Sequence, residues 1–186
     1  MASVTGIGEQ GLRWFAAERV EVEPDLTALV RAYSGLLYRV ALSVLRNAAE
    51  AEDVVQDTFV RVLQQGRRLS DVREMRPWLV RIAWNLAIDR KRRVPVEQMD
   101  EIFAAGMVSR EMAADEALAE AGRMRAVMDA IDRLPRKERE ALLLSAMEEL
   151  STAEIGAVLG RSESSVRSLL FRARGHLRER LERSDI

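Results

Sequence analysis

Residues 151–173 place the tightest constraint on the fold of this chain, because they spell two short helices joined by a glycine turn. Ser151-Thr152-Ala153-Glu154 is a capping box, in which the serine hydroxyl accepts from the amide three residues on and the glutamate reaches back. This first helix is predicted to end at Leu159, since Gly160 tolerates a positive φ and Ser162 can cap a second helix. The pattern is that of a helix-turn-helix.

The second of these helices has one apolar and one polar face. Its predicted buried stripe is Val166, Leu169, Leu170 and Ala173, and the first helix packs on it through Ile155, Leu159 and Gly156. At about 100° per residue, hydroxyls and arginines occupy the opposite face, where they suit contact with base edges and phosphates. A helical hairpin with solvated arginines is the alternative. The candidate duplex-contacting residues are Arg161, Ser164, Ser165, Arg167, Ser168, Phe171, Arg172 and Arg174.

Three amphipathic helices are predicted earlier in the chain, a pattern typical of a compact bundle. The first begins near Leu26. The second follows an acidic cluster that suits a helix start, ends at Gly66, and is expected to bury Val54, Val55, Phe59, Val62 and Leu63. After a polar connector, the third opens at Pro77, a residue favoured at a first helical position, and runs to about Arg92.

The third helix and its connector form a strongly basic segment. Residues 67–93 hold nine bases and three acids, a local net charge of +6 in a chain whose formal net charge is −1. Such a segregated patch is typical of phosphate binding. Trp84 and Asn85 are expected to be exposed beside it, which favours unpaired bases, because stacking and edge contacts need unpaired nucleotides. A solvated helix end with a half-buried tryptophan is the alternative.

The second helix carries a different surface. Asp53, Gln56, Asp57 and Arg61 share one face at helical spacing, opposite the apolar residues. An acidic face is a poor contact for DNA, so we interpret it as a protein-docking face. A solvated face is the ordinary alternative.

The remaining segments complete the predicted organisation. Residues 94–120 hold seven acids and one base, which indicates an acidic linker, helical at most near Glu111 to Ala121. We therefore expect an all-α protein with two small helical domains, a three-to-four-helix bundle and a helix-turn-helix domain. Its parts are a loosely ordered tail over 1–25, a bundle over 26–93, the linker over 94–123, and the helix-turn-helix domain over 124–186.

Composition excludes several kinds of protein. The chain has no cysteine and one histidine, so thiolate chemistry is excluded and a metal site or a histidine-based catalytic triad is not expected. No cofactor is predicted, and the chain is not expected to be an enzyme. No stretch approaches about 18 uninterrupted apolar residues, and the N-terminus lacks signal-peptide order, so we expect a cytoplasmic protein that does not insert into a membrane.

Two segments together resemble a known family. Residues 52–59 (EDVVQDTF), followed by residues 76–89 (RPWLVRIAWNLAID), are similar to region 2 of extracytoplasmic-function sigma factors of bacterial RNA polymerase. The segment from Leu134-Pro135 through Arg174 resembles region 4 of the same family. The order and separation of the two motifs are specific, and the resemblance covers residues 26–93 and 124–182.

The resemblance implies a promoter-specificity subunit. The acidic second helix would dock on the clamp helices of the large subunit of core RNA polymerase, the third helix and its connector would capture unpaired minus-ten bases, and the helix-turn-helix would read the minus-thirty-five duplex. An anti-sigma factor is the expected further partner. The residues carried over for the minus-ten element are Ser70, Arg76, Arg81, Trp84, Asn85, Asp89, Arg90, Lys91 and Arg92.

Three positions depart from the family pattern. Trp84 stands where a basic residue is common, Leu169 replaces a common arginine, and Glu149 replaces a common glycine. A stand-alone helix-turn-helix regulator with an N-terminal sensor or dimerisation domain remains the alternative function. It predicts tight duplex binding without polymerase.

Overall fold

A computed structural model describes residues 25–93, 114–147 and 149–183. Within those residues it contains seven α-helices and no strand, which confirms the all-α prediction. The helices are α1 (Leu26–Leu45), α2 (Ala48–Gln65), α3 (Met75–Lys91), α4 (Ala114–Asp132), α5 (Arg136–Ser145), α6 (Thr152–Leu159) and α7 (Glu163–Glu182). The 3-10 helix Gly66–Asp71 joins α2 to α3.

Helices α1, α2 and α3 pack against one another as the first unit. Their apolar faces meet in a core whose largest fully buried side chains include Leu37 of α1, Val54 and Val62 of α2, and Leu79 of α3. Each side chain of this size stabilises the fold by about 1.5–3 kcal/mol when taken out of water. Burial of the three facing stripes is therefore what holds α2 and α3 in a fixed relation.

Helix α1 is by length and composition apolar enough to cross a membrane, which the sequence-based exclusion did not anticipate. It packs against both α2 and α3, and its buried residues include Leu37, Val40 and Val44. The core helix of a bundle meets the same criteria of length and hydropathy, and the packing of α1 accounts for its apolar composition.

The boundaries of α2 differ from the prediction. The helix begins at Ala48, and its N-cap is Asn47, whose side-chain oxygen accepts from the Glu50 amide at 3.0 Å. The acidic cluster thus lies inside the helix rather than before it. Leu63, expected in the core, is 60% exposed, because the buried stripe follows Ala51, Val54, Thr58 and Val62 and leaves Leu63 on the outer side.

Two other boundaries also need correction. Helix α3 begins at Met75, so Pro77 is its third residue rather than its first. Helix α4 begins at Ala114, inside the predicted linker, because alanine and other good helix formers extend the helix of the second unit backwards. The rest of the linker, residues 94–113, and the tail before residue 25 lie outside the described residues.

Helices α4 to α7 form the second unit, and the predicted helix-turn-helix is confirmed in detail. Both halves of the capping box are present, with the Ser151 amide donating to Glu154 Oε2 at 2.9 Å. Gly160 has φ +64°, the left-handed region that favours glycine. The Ser162 hydroxyl accepts from the Ser165 amide at 3.3 Å and caps α7. The predicted stripe of α7 is buried throughout.

Gly156 permits the close approach of the two helix-turn-helix elements. A Cβ atom there would lie 2.7 Å from the backbone carbonyl oxygen of Arg161, closer than real Cβ contacts come. The carbonyl belongs to the turn that aims α7, so relief of the clash must move that turn.

We expect Gly156→Ala to destabilise the chain by about 1–3 kcal/mol, the usual cost of overpacking. Gly175→Ala is the matched control on α7, because nothing lies within 4 Å of its added Cβ, and it should stabilise by about 0.5–1 kcal/mol. Denaturant unfolding followed by circular dichroism measures both values. A Gly156→Ala variant as stable as Gly175→Ala would contradict the role of this contact.

Candidate nucleic-acid and polymerase interfaces

The predicted docking face of α2 lies on the surface of the first unit. Asp53 and Asp57 have side chains that are 58% and 48% exposed, and Gln56 and Arg61 are exposed with them. Sequence reasoning missed Val60, which is 49% exposed and lies between these polar residues by helical spacing. With the exposed Leu63, Val60 gives the acidic face an apolar strip, so the face combines charge with area that can be buried.

The acidic face is held by an arginine from another helix. Arg90, in the last turn of α3, donates from Nη1 to Glu50 Oε2 at 2.7 Å and to Asp53 Oδ2 at 3.2 Å, and from Nη2 to Asp57 Oδ2 at 2.8 Å. Burial lowers the pKa of its guanidinium, but the hydrogen bonds that it donates to the three carboxylates outweigh burial and leave the pKa raised. Arg90 therefore stays charged. The sequence showed the acidic spacing but not the arginine that it faces.

Some of the residues predicted for the minus-ten element are exposed on α3, and others are partly buried or bound to other side chains. Four of them are exposed along α3 on one face: Arg81, Asn85, Asp89 and Arg92. Arg90 donates hydrogen bonds to carboxylates of α2, and Lys91 is half-buried. Ser70 lies on the 3-10 helix, and its side chain is outside the described part of the structure. The exposed face thus carries two arginines and one amide, groups that contact phosphates and base edges, together with the carboxylate of Asp89, which pairs with Arg92 at 3.7 Å.

Trp84 is 4% exposed in this structure, so the expectation that it stands open for stacking is wrong here. The reason is a contact between the two units, in which α3 packs against α6 and α1 against α5. Trp84 lines a cleft there with Val44 of α1 and Leu143 of α5. The aromatic ring of Trp84 supplies apolar area for this contact.

Polar contacts also join the two units, among them an ion pair between Arg76 Nη1 and Glu154 Oε1 at 3.4 Å. Glu149, another departure from the family pattern, forms an ion pair with Arg39 of α1, and its carbonyl oxygen accepts from Arg76 Nη1 at 2.9 Å. The buried Arg46 pairs with Asp132 of α4 at 2.7 Å. Arg76 and Trp84, two of the predicted minus-ten residues, are thus engaged within the chain in this arrangement.

The outer face of α7 places the predicted duplex-contacting residues as expected. Ser164, Arg167, Ser168, Phe171, Arg172 and Arg174 are exposed, and Ser165 and Arg161 are half-buried. Phe171 is 81% exposed, the largest value among the large apolar side chains in the described part of the chain. Leu169, which replaces a common arginine, is buried in the stripe and makes no surface contribution.

A buried glutamate orients two residues of α7. Glu138 of α5 is 6% exposed and accepts from Arg172 Nε at 3.2 Å, and its second oxygen lies 2.8 Å from His176 Nδ1. The contact with Arg172 uses Nε, so the two terminal nitrogens take no part in that hydrogen bond. Sequence reasoning missed Glu138, because nothing local links it to residues 34 and 38 positions later.

Comparisons with known proteins agree with both units. A family model described as Sigma-70 region 2 matches residues 29–94, and one described as Sigma-70, region 4 matches residues 124–177. The chain is 32% identical over 158 residues to the ECF RNA polymerase sigma factor SigL of Mycobacterium tuberculosis, covering 84% of this chain and 89% of that one. It is 35% identical to SigE of Mycolicibacterium smegmatis, of which it spans 62%.

Solved structures show the same fold. CnrH, solved in complex with the cytosolic domain of CnrY, matches with a TM-score of 0.61 at 28% identity over 84% of this chain and 87% of that chain. The sigma factor RpoE of Bartonella quintana matches with a TM-score of 0.59 at 23% identity, covering 85% and 97%. The fold and both regions define a sigma-70-type protein. The chain belongs to the extracytoplasmic-function (ECF) family of RNA polymerase sigma factors.

The contact between the two units can be tested at Glu149. Glu149→Arg places a cation against Arg39 and near Arg76, so repulsion replaces attraction and the units should separate. Small-angle X-ray scattering should then show a larger radius of gyration than for the unmodified chain. Glu182→Arg makes the same charge change at the exposed end of α7 and should leave the scattering unchanged. Identical curves for both variants would contradict a contact of this kind.

Proposed function

We propose that this chain binds core RNA polymerase through α2 and directs promoter-specific initiation of transcription, with α3 at the minus-ten element and α7 at the minus-thirty-five element. The observation that carries the proposal is that an acidic and partly apolar face lies on α2, a basic face on α3 and a helix-turn-helix on α6 and α7. Family membership supports the same assignment. The function is one of binding and needs no catalytic residue, metal or cofactor.

The docking step rests on charge and exposed area together. Asp53 and Asp57 present carboxylates at the surface, and Val60 and Leu63 give area that a partner can cover. The carboxylates of this face carry the same negative charge as DNA phosphates and repel them, so the face is suited to binding a protein. We assign it to the clamp helices of the polymerase large subunit, which the family resemblance implies.

The minus-ten step rests on the exposed side of α3. Arg81 and Arg92 can neutralise phosphates, and Asn85 lies exposed between them on the same face, where its amide can bond a base edge. Capture of a flipped base offsets an unstacking cost of a few kcal/mol. Energy for this must come from polymerase docking and phosphate contacts together, so we infer that the chain opens promoters only within the holoenzyme.

The minus-thirty-five step rests on the outer face of α7. Arg172 is held by Glu138 through Nε, and Arg167 lies a little more than one turn earlier. A bidentate contact from either arginine to guanine would contribute about 1–3 kcal/mol of discrimination. Ser164 and Ser168 are small enough for the helix to approach the groove closely.

The contact that covers Trp84 has a functional consequence. In this arrangement Arg76 and Trp84 face the second unit, so the full minus-ten set assembles only when the two units separate. We infer that polymerase and promoter binding separate them. An anti-sigma partner, which the family resemblance implies, would act on the same equilibrium; CnrH, a structural neighbour, was solved with the cytosolic domain of CnrY. The site of action is the cytoplasm, where RNA polymerase is found.

Two substitutions separate docking from promoter opening. Asp57→Arg should lower affinity for core polymerase at least tenfold, an effect of about 1.4 kcal/mol, because it reverses a charge at the docking face. Asn85→Ala should leave core affinity unchanged and reduce open complex, because its side chain lies on the other exposed face. Binding to labelled core and permanganate footprinting of unpaired thymines measure the two quantities.

The matched control for docking is Glu182→Arg, which makes a similar charge change away from α2 and should retain full core affinity. Circular dichroism shows whether each variant is folded. Equal core affinity of Asp57→Arg and the control would contradict the docking face, and unchanged promoter opening in Asn85→Ala would contradict the minus-ten assignment.

A further inference from the structure

Arg90 links the surfaces of α2 and α3, the two helices of the first unit to which functions are proposed. Its guanidinium contacts carboxylates from three successive turns of α2, at residues 50, 53 and 57, each within 3.2 Å. Two of the three, Asp53 and Asp57, belong to the predicted docking face. The side chain of Arg90 is 25% exposed, whereas that of Arg92, two residues on, is 61% exposed.

The geometry leaves Arg90 poorly placed as a phosphate contact. Both terminal nitrogens donate to α2 carboxylates, and those are the nitrogens through which arginine grips a phosphate in a bidentate manner. Release to DNA would also leave three carboxylates facing one another without a cation. The expectation from the family resemblance, that Arg90 contacts minus-ten DNA, therefore fits this arrangement poorly.

Arg90 in turn relieves the repulsion among the three carboxylates that it contacts. Carboxylates three and four positions apart on a helix repel by about 0.2–0.5 kcal/mol per pair, and each would otherwise turn towards water. A single planar cation with several donors holds them in one geometry, because a guanidinium fixes direction as well as charge. The carboxylates of Asp53 and Asp57 thus keep a defined direction at the surface while about half of each side chain stays exposed.

We propose that Arg90 is a positioning residue for polymerase docking: it presents the Asp53 and Asp57 carboxylates to the core enzyme, and it is not a DNA contact. The inference rests on the proposed function of α2. A shallow groove lined by Asp57, Arg61, Asp89 and Arg90 runs between the docking face and the end of α3. Arg90 thereby fixes the relative position of α2, the helix proposed to bind polymerase, and the end of α3, the helix proposed to read the promoter.

The test compares Arg90→Gln with Arg92→Gln, a neighbouring arginine that lies exposed on the DNA-facing side. Two quantities are measured for the full chain: affinity for core polymerase, and affinity of the assembled holoenzyme, at saturating core, for a single-stranded minus-ten oligonucleotide. Arg90→Gln should lower core affinity roughly tenfold and leave oligonucleotide affinity within about twofold. Arg92→Gln should do the opposite.

Two further variants separate positioning from general stability. Arg90→Lys keeps the charge but cannot span three carboxylates, so it should restore core affinity only in part. Glu50→Gln removes a carboxylate outside the predicted docking set, and combined with Arg90→Gln it should give less than the sum of the two single effects. Thermal unfolding of each variant shows whether the bundle is intact.

The outcomes separate this inference from the function on which it rests. If the unmodified chain does not bind core polymerase, the proposed function fails. If the unmodified chain binds and Arg90→Gln binds equally well, only the positioning role is overturned. Loss of oligonucleotide affinity in Arg90→Gln with core affinity intact would show that Arg90 is a DNA contact after all.

Discussion

The packing of α3 is the constraint on which the rest of the structure depends. Seven of its residues are buried, and they lie on more than one side of the helix: Pro77, Leu79, Val80, Ala83, Trp84, Leu86 and Ala87. One side fills the core with α1 and α2, and another packs against α6. Between these two packed sides, a narrow strip that carries Arg81, Asn85 and Asp89 stays exposed to solvent. The position of that strip is thus set by packing on both sides.

Acidic and basic side chains lie on different helices of the molecule. A nearly neutral chain places its acids on α2 and its bases on α3 and α7, and the two signs meet at Arg90 and at Glu138. At each point a carboxylate and a guanidinium from different helices fix one another's direction. These contacts decide which atoms a partner meets. The acidic and basic faces are therefore adjacent on the molecule and remain distinct in function.

Local patterns sufficed to predict most of the fold. Capping residues gave the ends of α6 and the start of α7, and periodicity gave the buried stripe of α7, because these features are encoded within a few residues. The same reasoning failed where distant segments decide the outcome. Trp84 is buried by the second unit, Arg90 is held by α2, and Glu138 faces residues that follow it by more than thirty positions. Leu63 was predicted to be buried but lies next to the buried stripe, on the exposed side of α2. The local sequence does not show where α1 and α3 pack, and their positions decide which residues of α2 are buried.

Run-off transcription measures directly whether this chain gives RNA polymerase its promoter specificity. Core bacterial polymerase is incubated with a pool of promoter fragments, with and without the chain, and a known sigma factor serves as the positive control. We expect transcripts from a defined subset of fragments that appear only when the chain is present. If the control initiates while this chain neither binds core polymerase nor yields any transcript, the chain is not a sigma factor in function and a stand-alone regulator is the better assignment.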